Sequence, residues 1–387
     1  MRQLLHFLVV NRDRRTALAA RYGTHWLMPV IECAEMVRAG PLVARWCAAR
    51  GIGTDVAGQW LGRMDDDSVD WLVVISARDA ASPGAASLEW IPLDALANGR
   101  SVLEYQSWAL RRSLQSTPLP STAGPFGTID WPERVRSWMA DRLKLFPVAW
   151  TPYRTSAYEA VMGVETPQGR VYFKGLGADR IAESIVTGRC AAVARDSFAR
   201  TIALEHRQDG TVWWVTAECP GGPLSDPVRV ATVLADLQCR LQSAAIEFPR
   251  LSDDDGRGPG FAALPQSWIP MDLDPSNVLF DGRQVKFIDL DDSFFGPAPL
   301  AIAAFARRCC AGTDTRAVYS AYERAWRTPF GNLDWSRLED AAVECQNHLG
   351  WMRVVRNVER GELHADLDVL RGRIERRLQR QRQHQRR

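Results

Sequence analysis

The sequence has 387 residues, and 48 Lys and Arg residues stand against 46 Asp and Glu residues, so that the formal net charge is +2 at pH 7. Because neither sign is in excess, the composition gives no reason to expect nucleic acid or a membrane as the partner of the whole chain. The length exceeds the roughly 100–200 residues of a typical domain, so two domains are expected.

Cysteine usage and hydropathy predict a cytoplasmic protein. None of the eight cysteines forms a CxxC pair, and the only doublet is Cys309 with Cys310. This scatter favours reduced thiols over a disulfide framework or a zinc site. The first apolar run is short and is followed by charges, unlike a signal peptide, and no stretch approaches the ~20 apolar residues of a membrane span.

The first third of the chain predicts a small α/β layer. LLHFLVV and DWLVVIS are apolar runs typical of strands. Between them, PLVARWCAARGIG predicts a helix that ends near Gly51, and SLEWIPLDAL predicts a strand followed by a helix that begins near Leu93. STPLPSTAGPFG, at 116–127, has the composition of a linker and separates residues 1–115 from the rest.

After the linker the pattern changes to a few strands followed by helices. WPERVRSWMADRL predicts the helix that opens the second domain. AYEAVMGVETPQGRVYFKGL predicts two strands joined by a PQG turn, with Lys174 ending the second, and a helix follows over 182–194. TVWWVTA predicts a further strand, and the pattern beyond residue 300 is helical.

Carboxylates and one Asn crowd the segment PMDLDPSNVLFDGRQVKFIDLDD. Asp272 and Asn277 precede a short predicted strand, and a tight Asp281-Gly282 turn is expected to return the chain so that Asp289 lies beside them. Phosphoryl transfer from ATP needs a base near the acceptor hydroxyl, oxygen ligands for Mg²⁺ and a cation on the phosphates. The segment therefore predicts a base and two metal ligands at one edge of a hairpin.

Lys174 and Glu183, nine residues apart on a predicted strand and the next helix, supply a cation and a carboxylate to orient it. Taken alone, the acidic segment is better explained as an Asx-rich hairpin, because Asp and Asn are common in turns. The upstream pair in the correct order favours the catalytic interpretation. An exposed helix carboxylate stays open for Glu183. Asp291 and Asp292 are interpreted as a solvated strand end, with accessory metal or substrate contacts as the alternative.

Together these motifs resemble the aminoglycoside phosphotransferase family, a branch of the protein-kinase-like fold. The family pattern H-G-D-x-x-x-x-N followed by I-D-x-x-D is similar to MDLDPSN and FIDLDD, with RVYFKGL upstream. The resemblance implies a bilobal α+β domain at 128–387, with an N-lobe over about 128–218, a C-lobe over about 219–370 and a basic tail at 371–387. It also implies ATP- and Mg²⁺-dependent transfer of the γ-phosphoryl group to a hydroxyl of a small molecule, such as an aminoglycoside, a sugar, an amino alcohol or a natural product.

The resemblance also implies a role for each matching residue. These are a catalytic base at Asp272, Mg²⁺ ligands at Asn277 and Asp289, an ion pair over the α- and β-phosphates at Lys174 and Glu183, and contacts to the adenine at Glu218 and Cys219. Two positions depart from the pattern, because Pro270 replaces the family His and Ala301 replaces a later Asp. These departures favour one alternative, a pseudokinase-like binding or regulatory protein. A kinase that acts on a peptide or protein is a further alternative.

The first third, with HFLVV, LMPVIECAEM and LEWIPLDAL, resembles a Nudix hydrolase fold. Aligning the last glycine of the Nudix box with Gly51 leaves its Glu and Arg positions occupied by Met36, Ala44, Arg45, Ala48 and Ala49. The glutamates that would bind a metal are therefore missing, and Glu32 and Glu35 are interpreted as a solvated pair. The resemblance implies a small, non-catalytic Nudix-like α/β domain at 1–115 that serves in interaction or substrate recognition.

The C-terminal end departs from the even charge balance. From Arg371 it carries eight arginines against Glu375 alone. A frayed, solvated helix end is the favoured interpretation, and contact with RNA, acidic lipid or an acidic partner is the alternative.

For the whole protein, the predicted partner is a small molecule whose hydroxyl accepts the phosphoryl group. Neither nucleic acid nor a membrane is expected as a partner.

Overall fold

The structure is a computed structural model that describes residues 2–11, 15–23, 25–34, 39–64, 68–77, 88–98, 126, 131–156, 158–178, 181–224, 226–242, 261, 263–310, 315–326, 330, 333–359 and 371–372. Outside them lie Glu35, Met36, all of the predicted linker except Phe126, and most of the basic tail. The chain divides into two compact units. The first unit comprises Met1–Ala178, Ala203–Val215 and Arg353–Arg387, and the second unit comprises Asp179–Ile202 and Thr216–Met352.

The described residues form a mixed α/β structure, as the sequence predicts. The strands are β1 (Arg2–Asn11), β2 (Thr16–Tyr22), β3 (His25–Leu27), β4 (Val30–Cys33), β5 (Thr54–Met64), β6 (Ser68–Ala77), β7 (Leu88–Pro92), β8 (Ala149–Thr155), β9 (Glu159–Thr166), β10 (Gly169–Leu176), β11 (Thr201–His206), β12 (Val212–Ala217), β13 (Gly222–Pro223), β14 (Gln266–Pro270), β15 (Val278–Phe280), β16 (Val285–Phe287) and β17 (Ser293–Pro297). The helices are α1 (Ala39–Ala48), α2 (Leu93–Asn98), α3 (Trp131–Leu143), α4 (Ile181–Val193), α5 (Pro227–Gln242), α6 (Pro299–Cys309), α7 (Arg316–Trp326) and α8 (Trp335–Glu359).

A seven-stranded sheet in the first unit is built around β1. β1 pairs in parallel with β6 and antiparallel with β2 and β4, which explains why its sequence is an almost continuous apolar run. α1 packs on this sheet and buries Val43 and Cys47 against Leu5 and Phe7. The helix ends where the sequence predicts, because Gly51 adopts the left-handed conformation at φ +66°.

A second sheet of the first unit carries Lys174. Its five strands run in the order β11-β12-β10-β9-β8. Alternation along β10 turns Phe173 toward α3 and Lys174 toward the opposite face, where its Nζ lies 6.0 Å from the centre of the Trp214 ring. Aromatic rings fill the α3 face, namely those of Trp131, Trp138, Phe173 and Trp213. These rings pack against one face of β10, the strand on which Lys174 lies.

The second unit is largely helical and has its own apolar core. α5 turns Val230, Leu234, Leu237 and Leu241 inward, and the same face buries Gln238 completely. Helices also follow residue 300 wherever the structure describes the chain. None of the described helices is both long enough and apolar enough to cross a membrane.

The amide of Gln238 joins four elements of the second unit. Its Nε2 donates to Trp268 O on β14 at 2.7 Å and to Ala298 O at the start of α6 at 3.1 Å. Its Oε1 accepts from the hydroxyl of Tyr322 on α7 at 2.6 Å. Because buried polar groups are costly when they lose their partners, this side chain fixes α5, β14, α6 and α7 relative to one another.

Replacing Gln238 with Met should therefore lower the free energy of unfolding by about 2–4 kcal/mol, because two carbonyls and one hydroxyl lose their partner in the core. Gln242→Met is the matched control, since Gln242 is exposed at the end of the same helix. Urea unfolding at equilibrium measures both variants. Equal stability of the two would contradict a structural role for the Gln238 amide.

Candidate active site

β14 delivers the chain to the predicted base, Asp272. The strand pairs antiparallel with β17, with Pro270 opposite Ser293, and the Met271 N–H donates to Asp292 O at 2.9 Å. From the other side Gln346 Nε2 of α8 donates to Met271 O at 2.9 Å. The backbone just before Asp272 is thus held by a strand and a helix, although Pro270 has no N–H of its own to donate.

A short 3₁₀ turn, Pro275–Asn277, connects Asp272 with Asn277. Asp274 caps this turn, because its Oδ1 accepts from Ser276 N at 2.7 Å. The turn brings buried Asn277 back, and its Nδ2 donates to Asp272 O at 2.8 Å. The amide therefore uses its nitrogen to fix the loop and presents its oxygen as a ligand atom.

The hairpin β15–β16 brings Asp289 to Asn277. Val278 pairs with Phe287, and at the open end Ile288 N donates to Asn277 O at 3.0 Å. Asp289 follows directly, is exposed and adopts the left-handed conformation at φ +59°. Asp tolerates this region better than most residues, and such conformations cluster at functional sites. The predicted hairpin is confirmed, and the roles of Asn277 and Asp289 stay predictions.

The predicted two-residue turn of this hairpin is wrong. The strands end at Phe280 and begin again at Val285, so a four-residue loop joins them. Asp281 Oδ1 accepts from the N–H groups of both Arg283 and Gln284 at 2.8 Å. These bonds lower the pKa of Asp281, because they stabilise its charged form. An Asx turn thus replaces the tight DG turn.

Three carboxylates converge at the end of β14. One oxygen each of Asp272, Asp291 and Asp292 lies within 4.8 Å of the others, and all three residues are half-buried. Asp291 and Asp292 therefore lie beside the base loop, which favours their alternative role as accessory metal contacts. Like charges this close repel unless a cation or a proton joins them, and hard oxygen ligands suit Mg²⁺. The residues present thus fit a divalent cation.

Two further side chains of the second unit reach the base loop. Arg308, in the last turn of α6, donates from Nη1 to Asp272 Oδ1 at 2.8 Å. Gln346, on α8, holds the carbonyl of Met271, as described above. Neither residue could be predicted from the sequence, because both lie on helices far along the chain and neither belongs to a motif.

Lys174 and its neighbour lie on a tightly packed stretch of β10. A Cβ on Gly175 would lie 2.2 Å from Phe126 Cζ, so the ring of Phe126 rests directly on the strand. Only glycine permits this approach. The packing fixes the backbone that carries Lys174 in the first unit.

The three other predicted nucleotide contacts belong to the second unit. Glu183 on α4 is 5% exposed, so the alternative of an exposed helix carboxylate is wrong. A carboxylate this buried requires a partner. Its pairing with Lys174 stays a prediction. Glu218 and Cys219 directly follow β12, and burial raises the pKa of the Cys219 thiol.

Comparison with models of known families found no match, nor did comparison with curated proteins. Among solved structures, choline kinase LicA from Streptococcus pneumoniae is 11% identical, with a TM-score of 0.45 over 64% of this chain and 98% of that one. An amicoumacin kinase solved with AMP-PNP and Ca²⁺ is 12% identical, with a TM-score of 0.44 over 63% and 92%. Aminoglycoside-3'-phosphotransferase of type VIII is 18% identical, with a TM-score of 0.40 over 55% and 98%.

These three similar structures are small-molecule phosphotransferases by name. Their sequence identities and TM-scores are low, and the candidate site is therefore defined by the residues of this chain alone. The resemblance of residues 1–115 to a Nudix domain stays a prediction.

From the cluster of Asp272, Asp291 and Asp292 we expect the protein to bind a divalent metal ion. Mg²⁺ or Mn²⁺ should raise the melting temperature of the wild type, and Asp292→Asn should cut that increase by about half or more, because one ligand and one charge are lost. Without metal the same variant should be slightly more stable than the wild type, since repulsion is relieved. Differential scanning fluorimetry measures both effects.

Asp340→Asn is the control for that experiment, because Asp340 is exposed on α8 and the substitution removes the same charge. An equal metal-induced increase in the wild type and in Asp292→Asn would contradict a cation site at the cluster.

Proposed function

We propose that the chain is an ATP- and Mg²⁺-dependent phosphotransferase that transfers the γ-phosphoryl group to a hydroxyl of a small molecule. The observation that supports this most is the arrangement at the open end of the β15–β16 hairpin, where Asn277 bonds Asp272 O and adjoins Asp289. A base and two oxygen ligands at one edge are the parts that phosphoryl transfer requires. Aminoglycosides, sugars, amino alcohols and other natural products are acceptors of the appropriate class.

Asp272 is the proposed general base. As the acceptor oxygen forms its bond to the γ-phosphorus, its proton passes to the Asp272 carboxylate, and the bond from the γ-phosphorus to the ADP oxygen breaks. A positioned base of this kind contributes about 10²–10⁴ in rate. The bonds to the Met271 and Asp272 carbonyls restrain the loop that carries it.

Asn277 and Asp289 are the proposed Mg²⁺ ligands, with Asp291 and Asp292 as accessory carboxylates. When bound, Mg²⁺ neutralises charge on the phosphates. Asn277 suits this role because its buried amide is held through its nitrogen, which directs its oxygen outward from the hydrogen bond. Asp289 suits it because it is exposed, so that a cation can reach its carboxylate.

Nucleotide contacts are proposed for four residues outside the base loop. They are Lys174 braced by Glu183 for the α- and β-phosphates, and Glu218 and Cys219 for the adenine. The burial of Glu183 indicates that its carboxylate has a partner, because a buried carboxylate is stable only when it is paired.

Nucleotide binding without turnover is the second candidate function, and two positions favour it. Pro270 stands where the family pattern has a His, so that the hydrogen bond by which that His braces the base loop is missing. Ala301 is fully buried in the apolar core, so the acidic residue of the family pattern has no counterpart on α6. A protein of this kind would bind ATP with Mg²⁺ and transfer nothing.

The two candidates differ in what Asp272→Asn does. At about 100 times its Kd, ATP with Mg²⁺ should stabilise the wild type by ~2.7 kcal/mol. The variant should keep most of this stabilisation, since it removes one carboxylate of the cluster but retains Asn277 and Asp289, the ligands proposed for the nucleotide-bound metal. With a panel of small-molecule alcohols, it should release ADP about 10²–10⁴ times more slowly than the wild type. A coupled assay for ADP measures the rates.

Asp281→Asn provides the control, because Asp281 lies in the exposed loop of the same hairpin and Asn keeps an acceptor oxygen. Equal ADP release by the wild type and Asp272→Asn on every acceptor would favour the binding protein. Lack of stabilisation by ATP or GTP with Mg²⁺ would contradict both candidates.

A further inference from the structure

The last turn of α6 places a guanidinium group on the base loop. Arg308 Nη1 donates to Asp272 Oδ1 at 2.8 Å and lies 3.9 Å from Asp274 Oδ2. Asp274 is itself fixed, because its other oxygen accepts from Ser276 N. Arg308 therefore contacts both carboxylates of the loop that carries the proposed base.

Stability does not account for this contact. The side chains of Arg308 and Asp272 are 35% and 31% exposed, and ion pairs this accessible to water contribute little to the free energy of unfolding. A cation in the last turn of a helix is already favoured by the helix dipole and needs no carboxylate partner. The contact is better explained by what it does to the orientation of Asp272.

The backbone bonds described above restrain the loop, but they do not fix the side-chain torsions of Asp272. The bond to Oδ1 does so, because a carboxylate is planar and fixing one oxygen sets the direction of the other. A general base acts only within about 2.6–3.2 Å of the proton that it takes, and a displacement of about 1 Å can cost ~10² in rate.

The guanidinium is presented by a rigid element. The face of α6 from Pro299 to Ala306 is buried in the core of the second unit, and the carbonyl of Ala298 before it is held by Gln238. The same amide holds Trp268 on the strand that leads to Asp272. The buried side chain of Gln238 therefore holds both the helix that carries Arg308 and the strand that leads to Asp272.

We propose that Arg308 is a positioning residue for Asp272: its guanidinium orients the carboxylate so that it takes the proton from the acceptor hydroxyl. This inference rests on the phosphotransferase function proposed above. It assigns Arg308 an effect on turnover, with no share in binding nucleotide.

The test compares Arg308→Gln, Arg308→Lys and Arg308→Ala with the wild type in ADP release from ATP and Mg²⁺, using the small-molecule alcohol on which the wild type is most active. We expect kcat to fall about 10²-fold in Arg308→Gln, while the Kd for ATP with Mg²⁺ and the melting temperature stay near those of the wild type. Arg308→Lys should keep part of the rate, since its ammonium restores charge without the planar fork.

Chemical rescue distinguishes orientation of the base from an indirect structural effect. Guanidinium ion, at concentrations far below those that unfold the protein, should restore part of kcat to Arg308→Ala and none to Asp272→Asn. Arg307→Gln is the matched control, because Arg307 is the preceding residue and pairs with Glu339 at 3.7 Å. Its kcat should stay within about twofold of the wild type.

Three results would overturn the inference. They are a wild-type kcat in Arg308→Gln, a parallel loss of ATP affinity in that variant, and a failure of guanidinium to rescue Arg308→Ala. In each case the wild type is active, so the proposed function stands. A wild type that releases no ADP with any acceptor overturns the proposed function and the role of Arg308 together.

Discussion

The buried amide of Gln238 is the interaction on which the candidate site depends. It donates hydrogen bonds to a backbone carbonyl of β14 and to the carbonyl of the residue before α6, and it accepts a hydrogen bond from the hydroxyl of Tyr322. β14 leads within a few residues to Asp272, and α6 ends with Arg308. A single satisfied polar side chain in an apolar core thus sets the relation between the base loop and the helix that contacts it.

Local hydrogen bonds then build the acidic edge. Asp274 caps the turn that returns Asn277 to Asp272, and the hairpin pairing brings Asp289 to Asn277. Each carboxylate here either is partly exposed or accepts a hydrogen bond, so the edge concentrates negative charge without burying it unpaired. Such an edge attracts cations, which is what the proposed Mg²⁺ site requires.

Sequence predicted what short-range rules control. Apolar runs predicted β9 and β10, and the Asp281-Gly282 pair predicted the β15–β16 hairpin. The convergence of the Asp272, Asn277 and Asp289 side chains at one edge stays a prediction. The four-residue loop was missed because the Asp281 side chain mimics a turn by binding two N–H groups, which composition does not distinguish from a tight DG turn.

Long-range contacts were beyond prediction. Gln238 lies at an inward position of α5, between Leu234 and Leu241, yet nothing local shows that its partners are Trp268, Ala298 and Tyr322. Arg308 and Gln346 reach the base loop from helices 36 and 75 residues along the chain from their partners. Their contacts follow from how the helices pack, which no periodicity encodes.

The edge that carries Asp272, Asn277 and Asp289 is proposed to hold a metal-bound nucleotide. A crystal structure with Mn²⁺ and a non-hydrolysable ATP analogue tests it most directly, because Mn²⁺ is located by its anomalous scattering. We expect an anomalous peak within about 2.0–2.3 Å of Asn277 Oδ1 and of the Asp289 carboxylate, bridged to the phosphates. Nucleotide and Mn²⁺ bound elsewhere, with this edge bare, would contradict it.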